Sequence, residues 1–222
     1  MRTGILQALT MLLIGSMALA EPGDFKRVGV FKDARSHITD GMLKTLEDAQ
    51  YVVEIIARRD LNEGEKLQRL DVLFLPGGWN SLNFAGFHGR RNMVDFVAQG
   101  KGILAGAFRS GYVRTANRPL FPQVGAVYNR VNGSGLFPCA DSPLTAGIAG
   151  PFYLSAWDHM PVQPGPMGRT FLTDSSGLPV GVYGEIYGGR YIAIGCFFSG
   201  ADAPGPERTL LLNCLAWLAS AP

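Results

Sequence analysis

Charge is scarce in this chain. Asp, Glu, Lys and Arg make up 17% of its 222 residues, and the formal net charge is +2. That balance offers no electrostatic handle for nucleic acid or an acidic membrane surface, so neither is expected as a partner. Histidine is scarcer still, with His37, His88 and His159 the three in the chain. They lack metal-ligand spacing, and no Asp, Glu or Cys cluster completes a coordination set, so neither a metal nor another cofactor is expected. Cysteine is limited to Cys139, Cys196 and Cys214. One bridge plus one free thiol fits that count in an exported protein, with Cys139 and Cys196 the candidate pair. The apolar N-terminal run falls short of the ~20 residues that span a bilayer, so an integral membrane protein is not expected. There is no repeat, no low-complexity tract and no linker long enough to divide the chain.

What is present begins with a processing signal. Arg2 precedes an apolar stretch interrupted by Gln7 and Thr10, and Ala18-Leu19-Ala20 supplies a small-x-small cleavage site. The pattern predicts a secretory signal peptide over residues 1–20, against the competing reading of a membrane anchor. The expectation is a single mature domain over residues 21–222, exported to the periplasm or secreted. Cleavage would remove Arg2 and no acid, leaving a net charge one unit lower. Glycine is abundant, at 29 residues, which suggests many loops around a buried sheet.

Apolar runs alternate with helical patterns through the first half. RVGVFKD (27–33) and YVVEIIA (51–57) read as strands, separated by a helix that Asp40 can cap and that buries Met42, Leu43 and Leu46. DVLFLPGG (71–78) and GILAGA (102–107) are near-continuous apolar runs, the mark of parallel strands buried on both faces. Residues 90–99 form a helix between them, with Gly100 as its stop. Residues 61–70 read either as a loop or as a further helix. The second half is irregular, with strands near AVYNRV and FYLSAW. Two strands in PVGVYGEIYGGRYIAIGCFF are joined at Tyr187-Gly188-Gly189-Arg190, and a C-terminal helix starts near Pro206. This order predicts an α/β fold with an open, mostly parallel sheet and helices on both faces, binding ligands at the C-terminal ends of its strands.

Three segments carry a family resemblance: DVLFLPGGWNSLN, GKGILAGAF, and YGGRYIAIGCFFSG followed by PERTLLLNCLAWL. Together they resemble the class I glutamine amidotransferase-like superfamily, nearest to the biotin-protein ligase N-terminal-like and trehalose-utilisation (ThuA-like) families. The resemblance covers most of the mature chain and implies a flavodoxin-like sheet. It also implies a nucleophilic Cys on the turn after GILAGA, where this chain has Ala107, flanked by Gly106 and Phe108. The family's His follows the late strand YIAIG, where this chain has Cys196, Phe197, Phe198, Ser199 and Gly200. A covalent acyl transfer needs a nucleophile beside a base. Ala107 and the phenylalanines supply neither, so glutamine amidotransfer by the family route is not expected.

Other candidates each carry a plainer alternative. Ser110 lies in FRSGYV, but Phe108 stands where a nucleophile elbow needs glycine, so a helix-turn serine is the alternative. Cys196 ends a strand and could face the cleft, or it is structural. His159, in SAWDHMPV, is either a catalytic or ligand contact or an exposed histidine after a strand. His37 is either a ligand contact or a solvated loop residue. Arg109 sits where a helix N-terminus would favour an anion, and a guanidinium there could grip a carboxylate or phosphate. Its alternative is a surface or locally paired arginine. Gly77 and Gly78 would offer oxyanion-hole amides by family resemblance, with Phe108, Trp79 and Asn80 beside the cleft as contacts. The expected partner is a small polar or anionic molecule or an envelope protein, and a homodimer stays open.

Overall fold

The computed structural model describes residues 26–34, 36–77, 85–107, 120–122, 124–127, 131–133 and 135–220. The expected signal peptide lies outside them, as do Gly78, Trp79, Asn80, Phe108, Arg109 and Ser110.

The first half alternates as its apolar pattern predicts. The order is β1 (Arg27–Phe31), α1 (Asp40–Asp48), β2 (Val52–Ile56), α2 (Arg58–Glu63), β3 (Val72–Leu75), α3 (Phe87–Ala98) and β4 (Gly102–Gly106). The open choice over residues 61–70 resolves as the end of α2 and a 3-10 turn, Glu65–Arg69. Thr39, rather than Asp40, caps α1: its hydroxyl accepts the Met42 N–H at 3.0 Å. Asp40 is the first helical residue, where a carboxylate still complements the helix dipole. Gly100 follows α3 with φ +83°, the left-handed stop that glycine takes without steric cost.

The second half adds β5 (Val124–Val127), β6 (Val131–Asn132), β7 (Gly135–Pro138), β8 (Phe152–Tyr153), β9 (Asp158–His159), β10 (Val162–Pro164), β11 (Arg169–Asp174), β12 (Pro179–Ile186), β13 (Gly189–Ile194) and α4 (Pro206–Ala219). The main sheet has nine strands in the order β2-β1-β3-β4-β13-β12-β11-β7-β8. Its β2-β1-β3-β4-β13 portion is parallel, and from β12 onward neighbours run antiparallel. Tyr187 (φ 54°) and Gly188 (φ 83°) join β12 to β13 with both central residues at positive φ, the twist that suits a two-residue hairpin. Two short ribbons, β5–β10 and β6–β9, lie outside the main sheet.

The parallel strands are apolar throughout because each face of the sheet is covered. Val28, Val30, Phe74, Leu104 and Ile192 face α1 and α4, through Met42, Leu46, Leu211, Cys214 and Leu215. Phe31, Leu73, Leu75, Ile103 and Ala193 face the other way, onto Leu61, Met93, Phe96 and Val97. Successive residues thus serve opposite layers, and the core is split by the sheet into two. No helix among the described residues is long and apolar enough to cross a membrane.

Candidate functional site

The turns after β1, β3, β4 and β13 converge at the C-terminal edge of the parallel strands. The His37 N–H donates to the Gly77 carbonyl at 2.7 Å, tying the loop after β1 to the turn after β3. The His37 ring lies against the Phe197 ring, with centroids 5.0 Å apart. Gly77 is hemmed in: a Cβ there would lie 2.7 Å from the Phe197 ring and 2.8 Å from the Ala107 methyl. A Cβ on Gly106 would lie 3.1 Å from the Gly77 nitrogen. Small residues at 77, 106 and 107 therefore let three strand ends meet.

Ala107 takes φ +42°, a left-handed conformation that a residue with a Cβ adopts only at a cost of about 1–2 kcal/mol. Its methyl is fully buried. Phe198, just past β13, also has positive φ, at 58°, and packs edge-on against Phe74. Two bent, non-glycine turns thus sit side by side at the ends of neighbouring strands. Sharp turns of this kind lift a residue out of the sheet and present it to a cleft, and such outliers concentrate at functional sites.

Beside these turns is a pocket of about 330 Å³, within the range of small-ligand sites. His37, Phe197 and Ser199 form one wall; Asn132, Ala156, Trp157 and Asp158 form the other. The second wall is the β6–β9 ribbon and its approach, with Asn132 directly opposite Asp158. Trp157 is 77% exposed, an unusual state for an indole, whereas Asp158 is buried. A larger cleft of about 660 Å³ lies elsewhere, lined by Met167, Arg169, Tyr183, Glu185 and Trp217 among others. It opens toward the N-terminal ends of the parallel strands, since Glu185 is opposite Arg190, which is itself level with Gly102. We assign the site to the smaller pocket because Phe197 and Ser199, on either side of the bent residue Phe198, line it, and Phe197 borders Gly77.

Two buried carboxylates hold the walls in place. Glu207, in the first turn of α4, accepts the Ser155 N–H with one oxygen and the Gly200 N–H, at 2.8 Å, with the other. It thereby pins the chain just before Ala156 and just after Ser199. Asp174 sits at the end of β11 and accepts the N–H groups of Ser176 and Leu178 on one oxygen. Its other oxygen bonds His159 Nε2 at 3.1 Å, while His159 Nδ1 faces the Gly133 carbonyl at 2.7 Å. Both ring nitrogens therefore meet acceptors. Burial pushes the Asp174 carboxyl upward, but the bonds from Leu178, His159 and Ser176 outweigh it and leave the pKa below the ordinary value. The clip ties the β6–β9 ribbon to the main sheet.

Of the expected site residues, the fold brings His37, Gly77 and Ala107 together. It does not bring Cys196 or His159 into the cleft. Cys196 lies two residues past the end of β13, and its thiol is fully buried against α4. Burial, with the nearby Glu207 charge, raises its pKa well above the ordinary thiol value, so it is protonated and shielded. His159 is 2% exposed and engaged by Asp174, which corrects the reading of it as an exposed contact or catalytic group. All three cysteines are free thiols, so the candidate Cys139–Cys196 bridge is absent. Cys214 faces the core as its helix pattern implies. Sequence reasoning missed Asn132, Ser199 and the pocket role of Trp157 and Asp158. SAWDHMPV signals a polar and aromatic segment, and the structure puts its tryptophan and aspartate, rather than its histidine, at the pocket.

No family model matches the chain, and no curated protein does. Solved structures do. A cytoplasmic protein of Salmonella typhimurium aligns with TM-score 0.62 at 15% identity, over 87% of this chain and 99% of the other. A Bacteroides uniformis protein described as ThuA-like aligns with TM-score 0.60 at 15% identity, over 87% and 91%. A glutamine amidotransferase of Thermotoga maritima aligns with TM-score 0.61 at 10% identity, over 88% and 98%. At such identities the likeness is one of fold: the chain has the class I glutamine amidotransferase-like fold.

Proposed function

We propose that this chain is an exported binding protein on a glutamine amidotransferase-like fold, without acyl-transfer chemistry, whose strand-end cleft holds a small polar ligand. The observation that carries the reading is the Ala107 turn. Its backbone has the strained form of a turn that presents a side chain, yet the side chain is a buried methyl. The Phe197 ring borders the same point above Gly77. An alkyl group and a phenyl ring can neither attack a carbonyl nor move a proton.

A rival reading, hydrolysis or group transfer with Cys196 or His159, loses support from their burial and pairing. Ser110 stays a formal alternative. Gly78, Trp79, Asn80 and Phe108 remain proposed contacts at the rim of the cleft, and an anion gripped by Arg109 is the competing reading of its ligand. The test is glutamine hydrolysis by the purified mature domain, followed as ammonia release beside an active amidotransferase. No release above the uncatalysed rate is expected. Turnover that survives Ser110→Ala and Cys196→Ser would refute the non-catalytic reading outright. Export is checked separately by fractionating cells that express the full chain: recovery of the uncleaved chain in the cytoplasm would refute it.

A further inference from the structure

Resting on the reading of this cleft as a ligand site, we infer that its ligand is an uncharged ring with one flat apolar face and a rim of hydroxyl or amide groups. Three polar side chains at the pocket are unengaged. The side chains of Asn132, Ser199 and Trp157 make no hydrogen bond among the described residues. Each is neutral. An amide and a hydroxyl both donate and accept, and the indole N–H donates. No Lys or Arg is among the described residues that line the pocket, so the described lining offers neutral partners rather than a cation. The acid present, Asp158, is buried and already engaged. A carboxylate has about four acceptor positions, so it can still take a hydroxyl or amide proton from a ligand.

The apolar part is directional. Trp157 stands 77% exposed at the mouth of the pocket, and Phe197 with His37 closes the inner wall. An indole held in water is unfavourable unless something covers it, and a flat ring does so with the smallest loss of freedom. Asn132 and Asp158 are cross-strand partners on β6 and β9, so their side chains meet the same edge of such a ring. The volume of about 330 Å³ admits one ring of sugar or nucleobase size and little more. The shared chemistry fits a pyranose or a neutral lactam-type heterocycle, and the test separates them.

The test is saturation-transfer NMR with the mature domain and four probes: methyl glucopyranoside, uracil, citrate and putrescine. Affinities are then measured by titration of Trp fluorescence or by calorimetry. A signal from a neutral ring, with none from citrate or putrescine, is expected. Trp157→Ala should weaken that binding by about tenfold or more, the scale of a lost stacking platform. Asn132→Ala should weaken it about fivefold, the scale of one neutral hydrogen bond. Both positions are exposed, so an unchanged melting temperature should accompany each loss. The two neutral probes decide between the sources. Citrate or putrescine binding that depends on Trp157 would overturn the inference and leave the cleft reading standing. Binding of a neutral ring that is indifferent to both variants, or no binding by any probe, overturns the inference as well. Ammonia release from glutamine in the earlier assay is what would sink the underlying reading.

Discussion

Ala107→Gly is the substitution that weighs the bent turn directly. Ala107 holds φ +42° and is fully buried. Glycine there relieves about 1–2 kcal/mol of left-handed strain. It also removes a buried methyl, costing about 0.8 kcal/mol. The freer unfolded chain costs a further 0.4–1 kcal/mol or so. Relief and losses cancel to within about 1 kcal/mol. Ala105, two residues earlier, is equally buried and is not among the residues at positive φ. Ala105→Gly therefore gains no relief and should lose the full amount of about 1.2–1.8 kcal/mol. Urea unfolding compares the pair under identical conditions. With an m-value of about 2 kcal/mol/M, the two midpoints should differ by roughly 0.5–1 M, with Ala107→Gly near the parent. Equal losses at the two positions would show that the turn stores no strain, and the assignment of residue 107 to a presenting turn would fall with it.

Four further outcomes follow from the same geometry. Gly77→Ala should destabilise the domain, because its Cβ would meet Phe197 and Ala107 inside 3 Å. Part of that loss should return in the double variant with Ala107→Gly, as a coupling above about 0.5 kcal/mol in chemical unfolding; strict additivity would contradict the contact. Glu207→Gln should cost about 1.5–3 kcal/mol, because the amide places an NH₂ against a backbone N–H that needs an acceptor. A loss below that range in thermal or urea melts would count against the clamp. A thiol reagent applied to the native protein should modify Cys139 first, since it is partly exposed, and reach Cys196 and Cys214 only after unfolding. Native labelling of Cys196, located by mass spectrometry, would contradict its burial. Asp174 has a lowered folded pKa, so its contribution is present above the unfolded carboxylate pKa and is lost as pH falls through the folded value. Asp174→Asn should therefore flatten the acid limb of a stability-versus-pH curve, and an unchanged limb would refute the role.

The parallel half of the fold was legible because its cause is local. Strands buried on both faces must be apolar at every position, and VLFL and GILAG display that directly. The antiparallel half was harder to read for a matching reason. β11 carries Arg169, Thr170, Thr173 and Asp174 among two buried apolar residues, Phe171 and Leu172, so no run stands out. β6 and β9 span two residues each, too short to impose a period. Their positions are set by the His159–Asp174 clip, a contact between residues 15 apart that no window of sequence displays.

The site divides along the same line. Residues that act through the backbone were visible: Gly77 in the turn after its strand, and Ala107 as the residue on the turn after GILAGA. Side chains that act through their direction were not. Cys196 and Phe197 are adjacent at the end of β13, and the fold turns the thiol into the α4 layer and the ring toward Gly77 and His37. Nothing in CFF states which of the pair faces the cleft; the extended chain fixes only that neighbours point apart. Phe197 lies in the stretch where the family resemblance would place a histidine. A ring that can carry no proton borders the point where the Gly77 turn and the Ala107 methyl meet, and its packing on His37 closes one wall of the pocket. On the proposed non-catalytic reading, the residues that leave this end of the sheet without a nucleophile or base are the same ones that give it an apolar wall, so the absence of a reaction and the capacity to hold a ring would belong to one arrangement.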